Sequence, residues 1–238
     1  MQNRYAGDIG DYSKFILLKK LFGNKRIGLN WYLYPDEHHN NDGKHISYHY
    51  ENDYGILKIL RESAHSDSDR NIAYLERRLR EQKIFEDIVY FNECIENSEG
   101  DENRANYREK WFARSLACFG DQKREVVFVD PDNGLQVPSI PGTGRSKAGK
   151  YVFYHELEKL LEMEGLETLI IYQHYRRVVS FREKILDEVK RNLSEYTLNY
   201  YALGFHKMSA RVYLILSRHD LDQQLRDFVG DTPDWRYP

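Results

Sequence analysis

Val126-Val127-Phe128-Val129-Asp130-Pro131-Asp132-Asn133-Gly134 is the stretch whose reading decides the fold. Four apolar residues run unbroken into an acid, a proline and a turn. A half-exposed strand would alternate, so the unbroken run predicts a strand buried on both faces, as in a parallel sheet. In open α/β sheets, ligands bind beyond the carboxyl ends of the strands. The acids that end this run therefore stand where a site belongs. Pro-Asp-Asn-Gly is also a good β-turn in its own right, but a turn does not require an acid directly after four apolar residues.

Outward from this run, Thr168 to Tyr172 (TLIIY) is a second apolar strand, ending in Gln173-His174-Tyr175-Arg176-Arg177. Arg26 to Tyr34 reads as a strand stopped by Pro35, and Ile88 to Phe91 as another. Phe15, Leu17, Leu18, Leu21 and Phe22 have helical spacing, so a helix is expected over 12–22, capped by Gly10 or Asp11 and closed by Gly23. Further helices are expected over 53–62, 69–82, 105–119, 151–163, 181–193 and 221–229. In that over 105–119, Trp111, Phe112, Leu116 and Phe119 face inward. Leu198 to Leu203 and Val212 to Leu216 suggest a hairpin around Gly204-Phe205-His206-Lys207. Residues 36–44 and 97–103 read as polar loops, Gly134 to Gly149 as a mobile loop, and the tail to Pro238 as loose. Strands alternating with helices predict a Rossmann-like α/β fold. It has a mostly parallel sheet, helices on both faces and a C-terminal antiparallel hairpin, in one domain over 1–238.

Composition bounds the function. The 238 residues are 41% hydrophobic and 31% charged, which suits a chain with a sizeable core. A formal net charge of −3 gives no global basic signature, so any nucleic-acid contact needs a local patch. Tyrosine is abundant, at 19 residues, and can serve core or stacking surfaces. Cys94 and Cys118 are two cysteines without metal-type spacing and read as buried small hydrophobes, so a reduced, cytoplasmic protein is expected. No apolar run approaches the ~18 residues of a membrane span.

Several residue groups carry chemistry. Asp130 and Asp132, with Asn133, form a strand-end polar cluster able to accept hydrogen bonds or to act as oxygen ligands for Mg²⁺. Asp36, Glu37 and Asp42 lie in a loop that also follows a strand; they could receive a cofactor ribose or amino group, complete a metal site, or stay solvated. Adjacent His38 and His39 do not suit a shared metal. Asp11 and Lys14 are one helical turn apart and can pair. Gln173 and His174 end a strand beside the first, and His174 suits general acid or base work. Arg145, Lys147, Lys150, Arg176, Arg177, Lys207 and Arg211 fall in loops expected at the same edge, amid Tyr151, Tyr154, Tyr175 and Phe205. That mixture suits phosphate contact with stacking, or is ordinary surface charge.

The element order resembles that of class I S-adenosylmethionine-dependent methyltransferases, whose seven-stranded sheet ends in a hairpin. Asp130-Pro131-Asp132-Asn133 is similar to the Asp-Pro-Pro-Tyr type motif of the branch that methylates amino groups of nucleic acids. It stands after the strand that this family counts as its fourth. Tyr5-Ala6-Gly7-Asp8-Ile9-Gly10-Asp11-Tyr12-Ser13-Lys14 resembles the lead-in helix of ribosomal-RNA adenine methyltransferases. Two features differ: the loop over residues 36–43 holds one glycine, and Asp132-Asn133 replaces the Pro-Tyr pair whose aromatic stacks on a flipped base. The resemblance implies S-adenosylmethionine as cofactor, with Tyr5, Asp8 and Lys14 on the rim of its pocket. It also implies that Asp130, beside the Pro131 carbonyl, accepts from the target amino group. The residues leave two other classes open: a metal-dependent nuclease or phosphodiesterase using Asp36, Asp42, Asp130, Asp132 and His174, and a non-catalytic binding module. Oligomeric state is not legible.

Overall fold

A computed structural model describes residues 1–37, 43–50, 54–65, 70–95, 100–176 and 178–237, without the side chain of residue 101. Its strands are β1 (Arg26–Asn30), β2 (Asp87–Phe91), β3 (Val126–Val129), β4 (Gly134–Leu135), β5 (Tyr151–Val152), β6 (Thr168–His174), β7 (Asn199–Phe205), β8 (Arg211–Ser217) and β9 (Trp235–Arg236). Its helices are α1 (Ile9–Phe22), α2 (Ile56–Ala64), α3 (Ile72–Glu81), α4 (Asp101–Gly120), α5 (Tyr154–Leu161), α6 (Phe181–Asn192) and α7 (Asp222–Gly230).

Seven strands form one sheet in the order β2-β1-β3-β6-β8-β7-β9. The first four are parallel, and β8 enters antiparallel between β6 and β7. This is the expected Rossmann-like sheet with a C-terminal antiparallel hairpin. Successive strand residues point to opposite faces, so the sheet divides the core in two. Val126 and Phe128 pack with Phe15, Leu17, Leu60, Leu75 and Leu225, placing α1, α2, α3 and α7 on one face. Val127 and Val129 pack with Trp111, Leu157, Leu160 and Ile185, placing α4, α5 and α6 on the other. The central position explains the unbroken apolar runs: all four residues of β3 are buried.

Several boundaries differ from the expectations, each for a local reason. Helix α1 begins at Ile9 because Asp8 is its cap, its Oδ1 accepting from Gly10 N at 2.7 Å and Asp11 N at 3.2 Å; Gly10 and Asp11 lie inside the helix. Strand β1 stops at Asn30, since Tyr32 takes φ 45°, a left-handed conformation that ends a strand. Helix α4 already includes residues 101–103, expected as loop. Gly134 to Gly149 is not loop throughout: β4 pairs in parallel with β5, which takes residues 151 and 152 from the expected helix. The hairpin strands extend through Phe205 and from Arg211, so Gly204 and Phe205 are strand and residues 206–210 turn. The tail is tied down by β9, which pairs with β7 and buries Trp235. Cys94 and Cys118 are half-buried rather than buried. The Asp-Pro turn follows the third strand along the chain, counting the described residues. No described helix is long and apolar enough to cross a membrane.

Candidate active site

Asp130 is the first residue beyond β3. Its N–H still donates to the Asn30 carbonyl, at 2.9 Å, continuing the ladder with β1. The side chain therefore leaves the sheet at its carboxyl edge, where the start of α1 meets it. Lys14 lies there, one turn into α1, and donates to Asp130 Oδ2 at 2.5 Å and to Asp11 Oδ1 at 2.9 Å. Asp11 Oδ2 accepts from Gly7 N at 2.8 Å, which fixes its orientation. The Lys14 ammonium also sits 4.3 Å from the centre of the Trp31 ring. All three charged side chains are buried.

Lys14 is shared by two carboxylates, and the Met1 amine donates to the Asp130 carbonyl at 3.0 Å. Burial pushes the Asp130 carboxyl above its ordinary range, against the pull of Lys14. Burial also works against the Lys14 charge, but Asp11 and Asp130 outweigh it and hold the ammonium above its ordinary value. Burial likewise raises Asp8, opposed by Arg211.

The turn after Asp130 is stapled to β6. Gln173, fully buried, accepts from Leu135 N through Oε1 at 2.9 Å and donates through Nε2 to the Asn133 carbonyl at 3.3 Å. Gly134 adopts φ 97°, and a Cβ there would stand 2.4 Å from Gln173 Oε1, so only glycine fits. Asp132 faces the other way. Gln2 Nε2 donates to its Oδ2 at 2.8 Å, and Lys150 lies 3.6 Å from the same oxygen while also pairing with Glu37.

These elements enclose a cavity of about 390 Å³, a size suited to a small ligand or cofactor. Tyr5, Asp8, Lys14, Glu37, Asp130, Pro131, Asp132, Asn133, Lys150 and His174 line it, joining residues proposed separately from the sequence. Asp36 lies outside: it is exposed and accepts from Arg4 N at 3.2 Å. Asp42, His38, His39 and Arg177 lie outside the described residues. Among the basic residues, Arg145 borders a separate small recess with Tyr34, and Lys147 and Arg176 are exposed. Lys207 pairs with Asp234 at 3.3 Å. Sequence reasoning missed Lys44, His45, Tyr172 and Ser209 in the lining, and it placed Arg211 in a surface loop. Arg211 is 3% exposed at the start of β8. The available signal was its place directly before the apolar run Val212 to Leu216.

The residues directly after β1 are held by the chain itself. Tyr32 N donates to Asn30 Oδ1 at 3.0 Å, Trp31 N to the Phe91 carbonyl at 3.1 Å, and Tyr34 N to the Met1 carbonyl at 2.8 Å. Trp31 and Tyr32 are fully buried. The open space lies farther out, where Glu37, Lys44 and His45 line it together with residues of α1, β6, β8 and the turn after β3. Among the described residues, no three His, Cys, Asp or Glu side chains group as a metal cage.

Fold and cavity together define a Rossmann-like α/β protein with a ligand-sized cavity at the carboxyl edge of its sheet. No protein-family profile matches the chain, and no curated protein matches it in sequence. Among solved structures, it is similar to a SAM-dependent methyltransferase from Agrobacterium tumefaciens, over 90% of this chain and 62% of that one, at 9% identity and a TM-score of 0.41. The chain therefore spans less than two thirds of that protein's length. It is also similar to a protein in the NADB-Rossmann superfamily from Streptococcus agalactiae, over 90% of this chain and 72% of that one, at 10% identity and a TM-score of 0.37.

Proposed function

We propose that this protein is a methyltransferase that uses S-adenosylmethionine to methylate an amino group of a nucleic acid. The observation that carries this reading is the meeting, in one cavity, of the lead-in residues Tyr5, Asp8 and Lys14 with Asp130 to Asn133 and His174. The donor set fits the cofactor: Asp8 and Glu37 suit its hydroxyl and ammonium groups, and the Asp130 carboxylate suits a sulfonium. When bound, S-adenosylmethionine supplies an electrophilic methyl group.

The chain's own residues supply position and protons. Lys14 holds Asp130 Oδ2, so the rotamer of the carboxylate is set before any ligand arrives. Asp130 Oδ1 then accepts an N–H of the acceptor amine, which turns the nitrogen lone pair toward the methyl group. The imidazole of His174, at the cavity mouth, takes the proton released from the product ammonium. Val178, Val179 and Met208 are exposed on the two loops beside it, which are joined by the Tyr175–His206 ring contact at 5.9 Å. Such an apolar edge suits unstacking of a base, in the role that Asn133 cannot fill. The nuclease reading is less well supported, because Lys14 already holds Asp130, Lys150 lies 3.6 Å from Asp132, and Asp36 is exposed outside the cavity.

The test is transfer of labelled methyl from S-adenosylmethionine to mixed RNA and DNA in chelator. Wild type should label one pool, and Asp130→Ala should lose at least about a hundredfold in rate, the scale expected of a positioning and proton-accepting group. Label that appears equally with both proteins, or in neither pool, would sink the reading.

A further inference from the structure

Arg211 heads β8, and its side chain runs toward the first turn of α1. A Cβ on Gly10 would come 2.7 Å from Arg211 Nη1, so the guanidinium occupies the space that Gly10 leaves. It is 3% exposed yet lines the cavity. A buried guanidinium has five N–H donors and is costly to leave unmatched. Here Nη1 makes one long bond, 3.4 Å to Ser13 Oγ, and Nε has no partner. The Phe205 ring, 5.7 Å from the guanidinium carbon, supports it without satisfying a donor. Asp8 and Asp11 act on it as nearby opposite charges, but no side chain accepts from Nε.

We infer that Arg211 is the floor of an anion subsite in the cavity, its guanidinium taking a carboxylate or phosphate oxygen of the bound ligand. A guanidinium presents pairs of parallel donors, the geometry that carboxylates and phosphates accept. The amino end of α1 backs it and adds a favourable dipole. Its own N–H groups at Gly10 and Asp11 are already taken by Asp8. Lys44 lines the same cavity and adds a positive charge. The cavity therefore carries acidic groups, Asp8 and Asp130, and basic ones, Arg211 and Lys44, which suits a ligand carrying both charges. The inference rests on the reading of this cavity as a ligand site. Within that reading the anion has two sources, the carboxylate of S-adenosylmethionine or a phosphate of the acceptor.

Calorimetry on wild type and Arg211→Lys separates them, using inorganic phosphate, S-adenosylmethionine and its decarboxylated analogue. Lysine keeps the charge but loses the two-donor edge. With a cofactor carboxylate, Arg211→Lys binds S-adenosylmethionine about tenfold more weakly, and the decarboxylated analogue binds both proteins alike. With an acceptor phosphate, S-adenosylmethionine binds both proteins alike, and inorganic phosphate weakens about tenfold in the variant. Phosphate binding that depends on Arg211 without any binding of S-adenosylmethionine would retain the subsite and remove the methyl-transfer reading. Equal affinities of the two proteins for both anions, or no binding of either anion to wild type, would overturn the subsite. If Arg211→Lys does not fold, arginine-labelled wild type is titrated with phosphate and S-adenosylmethionine by NMR. A buried Nε–H resonance should move with one of them, and none moving with either would overturn the proposal.

Discussion

Lys14 is the residue on which the site's stability turns. It is buried between Asp11 and Asp130, so its removal strands two carboxylates away from water. Breaking a buried pair in this way costs about 3–5 kcal/mol. Lys14→Met should therefore lower the unfolding free energy by that order in urea titrations, and Lys14→Met with Asp130→Asn should recover part of it. A loss below about 1 kcal/mol, the scale of an exposed ion pair, would contradict the buried geometry. Glu76 offers a second test at this scale. It accepts from Trp31 Nε1 at 2.7 Å and Asn92 Nδ2 at 2.9 Å, and burial pushes its carboxyl up to about 7 from 4.5. Between those values the folded state holds a proton that the unfolded state has lost, so stability falls as pH rises through this interval. Relative to Glu76→Gln, wild type should lose about 3 kcal/mol from pH 4.5 to above pH 7. Parallel stability curves for the two proteins would refute the raised carboxyl.

At the scale of elements, what the sequence shows and hides follows from how local each cause is. Val126 to Val129 and Thr168 to Tyr172 are legible because central parallel strands need apolar residues on both faces. The pairs β4 with β5 and β7 with β9 are not, because two-residue strands have no period to read. The cap of α1 was misplaced because Asp8, Gly10 and Asp11 are all good cap residues, and only the β conformation of Asp8 decides among them. Asp8→Ala should cost about 1 kcal/mol through loss of that cap. Gly134→Ala places a Cβ on Gln173 at φ 97°, so it should destabilise by at least about 1 kcal/mol and loosen the turn that carries Asp132 and Asn133. Limited proteolysis would read that loosening as new cleavage within residues 131–150. A Gly134→Ala protein as stable and as resistant as wild type would show that Gln173 does not staple the turn.

At the scale of the molecule, the site is assembled from residues as far apart in the chain as Tyr5 and Arg211, which is why the sequence named its parts without joining them. Arg211 is the clearest case. Its burial depends on Gly10 and Ser13 in α1, on Phe205 across the hairpin and on the sheet order that brings them together. The same assembly buries Trp235 against Phe205, Tyr213 and Phe228 at the sheet edge. Trp235→Ala should cost about 3–5 kcal/mol, read as a shift in the urea midpoint, although nothing in the local sequence marks that residue as core. The central claim concerns the cavity that this assembly creates, and the direct measurement is calorimetric titration of wild type with S-adenosylmethionine in the presence of chelator. One site of roughly micromolar affinity is predicted. No binding up to millimolar cofactor would contradict the claim.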